Sequence, residues 1–78
     1  VSQHRLDARY LLCPLPVIRT QQMVDELAHG DIVEVICTDP GALNDIPAWC
    51  RVHGHELLSA GSSGEDIVVT VKVVGTTR

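Results

Sequence analysis

Phenylalanine is absent from this 78-residue chain, and Tyr10 and Trp49 are its only large aromatics. The interior must therefore be assembled from Val, Ile, Leu and Ala. A chain this short buries only a shallow core, which leaves any active site near the surface. Cysteine is scarce as well: Cys13, Cys37 and Cys50 are odd in number and none forms a CxxC pair. That excludes a disulfide framework and suits a reducing compartment. Cys50, His53 and His55 could be read as metal ligands, but the second half of a zinc site is missing, so a structural metal is not expected. Basic residues are few, and Arg5, Arg9, Arg19, Arg51, Lys72 and Arg78 form no run within a net charge of -4. Gripping nucleic acid by its phosphates needs a basic surface, so direct binding to nucleic acid or to a membrane is not expected. No apolar run approaches a membrane span, and no basic segment leads into an apolar one as in a signal peptide. The expectation is one cytoplasmic globular domain over residues 1–78, in keeping with 45% apolar and 21% charged residues.

What the chain does have is the stretch Leu11-Leu12-Cys13-Pro14-Leu15-Pro16-Val17-Ile18. Proline suits the first turn of a helix and disfavours helix in the residue before it. Cys13 therefore falls at or beside an N-cap, with a helix predicted from Pro14. A helix N-terminus carries partial positive charge and free N–H groups, and a thiol placed there tends to ionise to its reactive form. With Pro14 at the first helical position, Pro16 has no N–H to offer. Leu15, and Val17 beyond it, would supply the amides for the sulfur, which predicts a moderately lowered thiol pKa. The alternative is a thiol that simply packs, as most free cysteines do.

Around this corner the pattern predicts six elements. A short strand over His4 to Tyr10 leads to Cys13. A helix from Pro14 to about Ala28 places Leu15, Val17, Ile18, Val24, Leu27 and Ala28 inward and stops at Gly30. The β-branched run Ile32 to Thr38 is the clearest strand, and Cys37 reads as a core thiol on the face of Val33 and Val35. Asp39-Pro40 opens a second helix carrying Leu43, Ile46, Cys50 and His53 inward and ending at Gly54. Pro47 predicts irregularity between Gly41 and Pro47, with Asp45 capping a second start. Trp49 reads as a core or shielding residue. His55 to Ala60 and Ile67 to Val74 form a hairpin across the turn Gly61 to Asp66. Thr76, Thr77 and Arg78 are a tail. The order β-α-β-α-β-β implies a two-layer α/β (α+β) sandwich: a mixed four-stranded sheet with two helices on one face. The valines of the last strand leave apolar side chains on its other face, where some contact with a partner is plausible.

Leu6-Asp7, Leu11-x-Cys13-Pro14-x-Pro16-Val17, Asp39-Pro40, Asp45-Ile46-Pro47-Ala48-Trp49-Cys50 and His55-Glu56-Leu57 together resemble the TusA/SirA family of sulfur carrier proteins. The likeness runs from Leu6 to Val74, and the CPxP, DP and DIPxxC blocks in that order make it specific. It implies a cytoplasmic monomer without cofactors, in which Cys13 carries sulfane sulfur as a persulfide. The implied donor is a cysteine desulfurase or rhodanese-type protein, and the implied acceptor a DsrE-like or other relay protein. Relatives serve tRNA thiolation, molybdenum cofactor assembly, sulfur oxidation and selenium metabolism. Pro14, Leu15 and Pro16 would support the thiolate, and Arg9, Tyr10, Arg19 and Asp45 are candidate partner contacts. This chain has Tyr10 where many relatives have Gly, and Leu12 where some have a basic residue. Two other classes remain open: a non-catalytic interaction or regulatory module of the same fold, and a redox or metal-responsive domain using Cys13 with Cys37 or Cys50.

Overall fold

The computed structural model describes residues 2–74. Strand β1 (Gln3–Ala8) leads through a loop to helix α1 (Leu15–Val24), strand β2 (Ile32–Cys37), helix α2 (Ala42–His53) and the hairpin of β3 (Glu56–Ser63) and β4 (Asp66–Lys72). The sheet order is β1-β2-β4-β3. β1 runs parallel to β2, from Gln3 opposite Ile32 to Ala8 opposite Cys37, while β4 is antiparallel to both β2 and β3. Two parallel strands need a crossover, and α1 supplies it. Helix α1 lies over β1 and β2, and α2 over β4 and β3, which is the two-layer arrangement the element order predicts.

Period-two alternation decides which face the helices cover. Val33, Val35 and Cys37 of β2 and Val69 and Val71 of β4 are fully buried, whereas Ile32, Glu34, Ile36, Val68 and Thr70 alternate with them on the open face. Ile46 and Cys50 of α2 and Thr20 of α1 close the core from above. No helix among the described residues is long and apolar enough to cross a membrane.

Several boundaries depart from expectation. α1 starts at Leu15, with Pro14 as its N-cap, and ends at Val24. Asp31 favours the early end: its carboxylate accepts the Ala28 amide at 3.0 Å, which draws Ala28 into the turn before β2, and its other oxygen accepts the Ser2 amide ahead of β1 at 3.1 Å. The inner face of the helix also differs in part from the predicted one, although Val17, Val24 and Leu27 turn towards the core as expected. Pro16, Thr20 and Val24 are buried, while Leu15 and Ile18 are about two-fifths exposed and Ala28 is exposed. The i, i+4 spacing of those three defines the inner stripe, and Thr20 hides its hydroxyl by donating to the Pro16 carbonyl at 2.8 Å. Helix α2 is continuous through Pro47 rather than irregular. Ile46 and Cys50 on either side are anchored in the core, and that packing outweighs the ~3 kcal/mol a mid-helix proline costs. The predicted six-residue hairpin turn shrinks to Gly64-Glu65, because β3 runs on to Ser63 and pairs it with Asp66. Gly64 supplies the positive φ of 65° that this tight turn uses. The predicted tail at Thr76, Thr77 and Arg78 lies outside the described residues.

His53 does not join the inner face and is exposed, but its ring and that of His55 gather around Trp49, with centroids 5.3 and 5.0 Å from the indole. His55 Nδ1 accepts the Val74 amide at 3.1 Å, which requires the neutral imidazole. Burial first, and the neighbouring His53 second, push the His55 pKa below its ordinary value. The unfolded chain therefore binds more protons than the folded one once the pH drops below about 6.5, and stability present above that pH is lost as pH falls. The expected result is a Tm that declines from pH 7.5 to pH 5 and declines less in His55→Asn, whose amide oxygen can accept the Val74 amide at either pH. Equal slopes would remove His55 from the effect.

Candidate functional site

Cys13 stands in the loop joining β1 to α1, one residue ahead of the N-cap Pro14, at the end of the sheet where both β1 and β2 run into their helices. The Cys13–Pro14 peptide is cis. Three contacts bind this loop to the segment after β2. The Tyr10 amide donates to Thr38 Oγ1 at 2.9 Å, the Cys13 amide donates to Asp39 Oδ2 at 3.0 Å, and the Cys13 thiol donates to Asp45 Oδ2 at 3.0 Å. Asp39 also accepts the Gly41 amide on Oδ1 at 3.0 Å, so it closes a turn ahead of α2, whose N-cap is Gly41 rather than the predicted Asp39, and it holds the cysteine loop with its other oxygen.

The electrostatics differ from the expected thiolate cradle. The Leu15 amide donates to the Leu12 carbonyl at 2.8 Å instead of reaching the sulfur. The predicted amide support from the Pro14-Leu15-Pro16 turn is thus spent on backbone. The nearest charges are negative: the hydrogen bond to Asp45 first, then desolvation, then the Asp45 and Asp39 charges push the Cys13 thiol above its ordinary value. A lowered pKa was expected, and the direction is reversed because carboxylates, not amides, face the sulfur. Asp45 was expected to cap a second helix start. It lies instead in the first turn of a continuous α2, where its own amide donates to Gly41 at 2.9 Å and its carboxylate is free for the thiol. Sequence reasoning placed both aspartates at helix starts but missed that they converge on Cys13. The signal was available in the shared position of the two helix starts, at the ends of neighbouring parallel strands.

The other two thiols are closed off. Cys37 and Cys50 are 0% and 1% exposed, and burial pushes each up to about 11. All three cysteines are free, and Cys13 is the exposed one.

Around it the surface is apolar. Tyr10 and Leu12 are 84% and 73% exposed, and Leu15 and Ile18 about two-fifths. Tyr10 holds a φ of 66°, a left-handed conformation that glycine adopts without cost. That explains structurally why glycine suits this position. Arg9 is engaged by a two-pronged pair with Asp7, Nε to Oδ1 and Nη2 to Oδ2 both at 3.0 Å, which holds the Asp7 carboxyl down at about 2. Of the predicted partner contacts, Tyr10 is open and Arg19 is exposed on α1, while Arg9 and Asp45 already have partners within the chain.

Comparison with known proteins agrees with this architecture. The family described as Sulfurtransferase TusA matches residues 4–73. A relative named putative sulfur carrier protein YrkI, from Bacillus subtilis, is 47% identical over 64 residues, covering 82% of this chain and 85% of that protein. The sulfur carrier protein TusA of Allochromatium vinosum is 37% identical over 59 residues, covering 76% of this chain and 78% of its own length. The crystal structure of a SirA-like protein from Desulfitobacterium hafniense superposes with a TM-score of 0.81 at 23% identity, covering 92% of this chain and 99% of that one. That likeness establishes the common fold.

Proposed function

Because the chain belongs to the TusA family, we propose that it is a sulfur carrier in which Cys13 takes up sulfane sulfur as a persulfide from a donor protein and hands it to an acceptor protein. The observation that carries this reading is that Cys13 alone among the three thiols is exposed, in a loop hydrogen-bonded to the start of α2. A single unpaired cysteine suffices, since transfer follows the pattern of thiol–disulfide exchange. Loading forms a bond from Cys13 Sγ to the outer sulfur of the donor persulfide and breaks the donor's S–S bond. The electron pair of that bond leaves with the donor thiolate, which takes up the Cys13 proton. No external oxidant or reductant is consumed.

The donor would be of the cysteine desulfurase or rhodanese type and the acceptor a relay protein, so tRNA thiolation, molybdenum cofactor assembly or sulfur oxidation would be set by the acceptor. The exposed Tyr10, Leu12, Leu15 and Ile18 beside Cys13 would offer both partners an apolar landing surface. A reducing, cytoplasmic setting suits an exposed free thiol. Intact mass after incubating the reduced protein with a cysteine desulfurase and cysteine, or with rhodanese and thiosulfate, tests the proposal. A gain of one sulfur, removed by reductant, is expected; no gain with either donor would instead support a non-catalytic interaction module.

A further inference from the structure

Resting on that carrier reading, we infer that Asp45 is a positioning residue that distinguishes the empty carrier from the loaded one. Its carboxylate holds the empty Cys13 as a protonated thiol turned towards α2, and repels the proton-free terminal sulfur of the loaded residue, turning it out towards an acceptor.

The geometry supplies each part. Sγ lies 3.0 Å from Asp45 Oδ2, and the other carboxylate nearby is not available to take its place. Asp39 spends Oδ2 on the Cys13 amide and Oδ1 on the Gly41 amide. The two carboxylates close over Gly41: a Cβ there would meet Asp39 Oδ1 at 3.4 Å and Asp45 Oδ2 at 3.6 Å. Among the described residues the ion pairs Arg5–Glu34 and Arg9–Asp7, and the 3.8 Å contact of His4 with Asp31, all lie elsewhere and do not neutralise Asp39 or Asp45. The pair therefore faces the sulfur as net negative charge. A thiol satisfies that charge by donating its proton. A persulfide does not, because its terminal S–H is the stronger acid and loses the proton that made the contact favourable; like charges then push the terminal sulfur away.

The atoms balance. Empty carrier, Cys13–SH, and an ionised donor, R–S–S⁻, become Cys13–S–S⁻ and R–SH. The proton leaves Sγ and ends on the departing donor thiolate, and total charge is unchanged. The consequence is a carrier whose thiol resists stray electrophiles while empty and whose sulfur is turned outward once loaded.

Two readouts on the full chain test this, with wild type, Asp45→Asn and Asp45→Glu checked for folding by circular dichroism. The first is the pH profile of Cys13 alkylation by iodoacetamide in the empty protein; the second is the rate at which the same neutral reagent alkylates the terminal sulfur of the loaded protein at pH 7. Asp45→Asn is expected to move the alkylation profile to lower pH and to raise the rate at pH 7 by about threefold, because the gain in thiolate outruns the loss of nucleophilicity. The same variant is expected to slow alkylation of the loaded, already ionised sulfur by about threefold, a change of opposite sense, because the charge that turns it outward is gone, and Asp45→Glu to restore both. A residue with a purely structural role would shift the two rates in the same direction. An unshifted profile, or parallel changes, in a variant that still loads overturns this inference alone. Failure of the wild type to load overturns it together with the carrier reading.

Discussion

Cys13→Ser is expected to abolish sulfur uptake outright, although Cys37 and Cys50 remain. Sulfur transfer needs a thiolate that a donor protein can reach. Both remaining thiols are essentially without solvent exposure, and burial holds their pKa at about 11. At pH 7 that leaves a thiolate fraction of about one part in ten thousand, behind a packed sheet face. The serine hydroxyl can still donate to Asp45 and the Cys13 amide contact to Asp39 is untouched, so the fold and its Tm should hardly change. Uptake is checked by intact mass after donor incubation, and an uptake loss of more than about a hundredfold is expected. A variant that still gains one sulfur would move the carrier role to another residue. The contrast between an unchanged Tm and a lost activity is what separates chemistry at Cys13 from packing.

Ile46→Ala should be among the most damaging core changes on α2. Ile46 is fully buried and heads the largest fully buried side chains, and it follows Asp45 directly on the helix that holds the cysteine loop. Truncating it removes hydrophobic burial and leaves a cavity between helix and sheet, at a cost of about 2–5 kcal/mol. In a domain of this size each kcal/mol lowers Tm by about 4–8 °C, so a fall of roughly 10 °C or more is expected, with Ile46→Val costing about 0.5–1.5 kcal/mol. Urea denaturation checks it: the midpoint should fall while the slope stays constant. Because α2 also carries Pro47, it has little helix-forming preference of its own to fall back on once that anchor is lost. The Asp45–Cys13 contact should loosen with it.

Much of the architecture is legible from local pattern because the forces that set it are local. The β-branched run at Ile32 to Cys37 can only be a buried strand, and its alternation already names Val33, Val35 and Cys37 as the covered face. Gly54 ends the second helix where expected, with a φ of 80° that only glycine takes easily. The element order then restricts the chain to one mixed sheet with both helices on a single side. Trp49 is shielded within the fold, as its size suggests.

Other features were hidden because they depend on partners distant in the chain. α1 presents Pro16, Thr20 and Val24 to the sheet while Leu15 and Ile18 face out. Hydrophobicity alone ranks Pro16 and Thr20 below Leu15 and Ile18, and only the shape of the receiving sheet makes a small proline and a hydrogen-bonded threonine the better fit. Pro47 reads as a helix breaker, yet its flanking anchors override it. The hairpin turn was overestimated because Gly61, Ser62 and Ser63 are poor strand formers by composition, and pairing with β4 recruits them all the same.

By itself the sequence determined the order of the elements, the two buried thiols and the placing of Cys13 ahead of a helix, since each follows from side-chain periodicity or from the fixed φ of proline over a few residues. The character of that cysteine was decided by tertiary structure alone. Asp39 and Asp45 are 26 and 32 residues away along the chain, and each reads locally as a helix cap. Parallel pairing of β1 with β2 brings the two helix starts side by side. The carboxylate of one helix then meets the thiol of the other, and a group that local rules would ionise is held as a thiol by a charge those rules do not see.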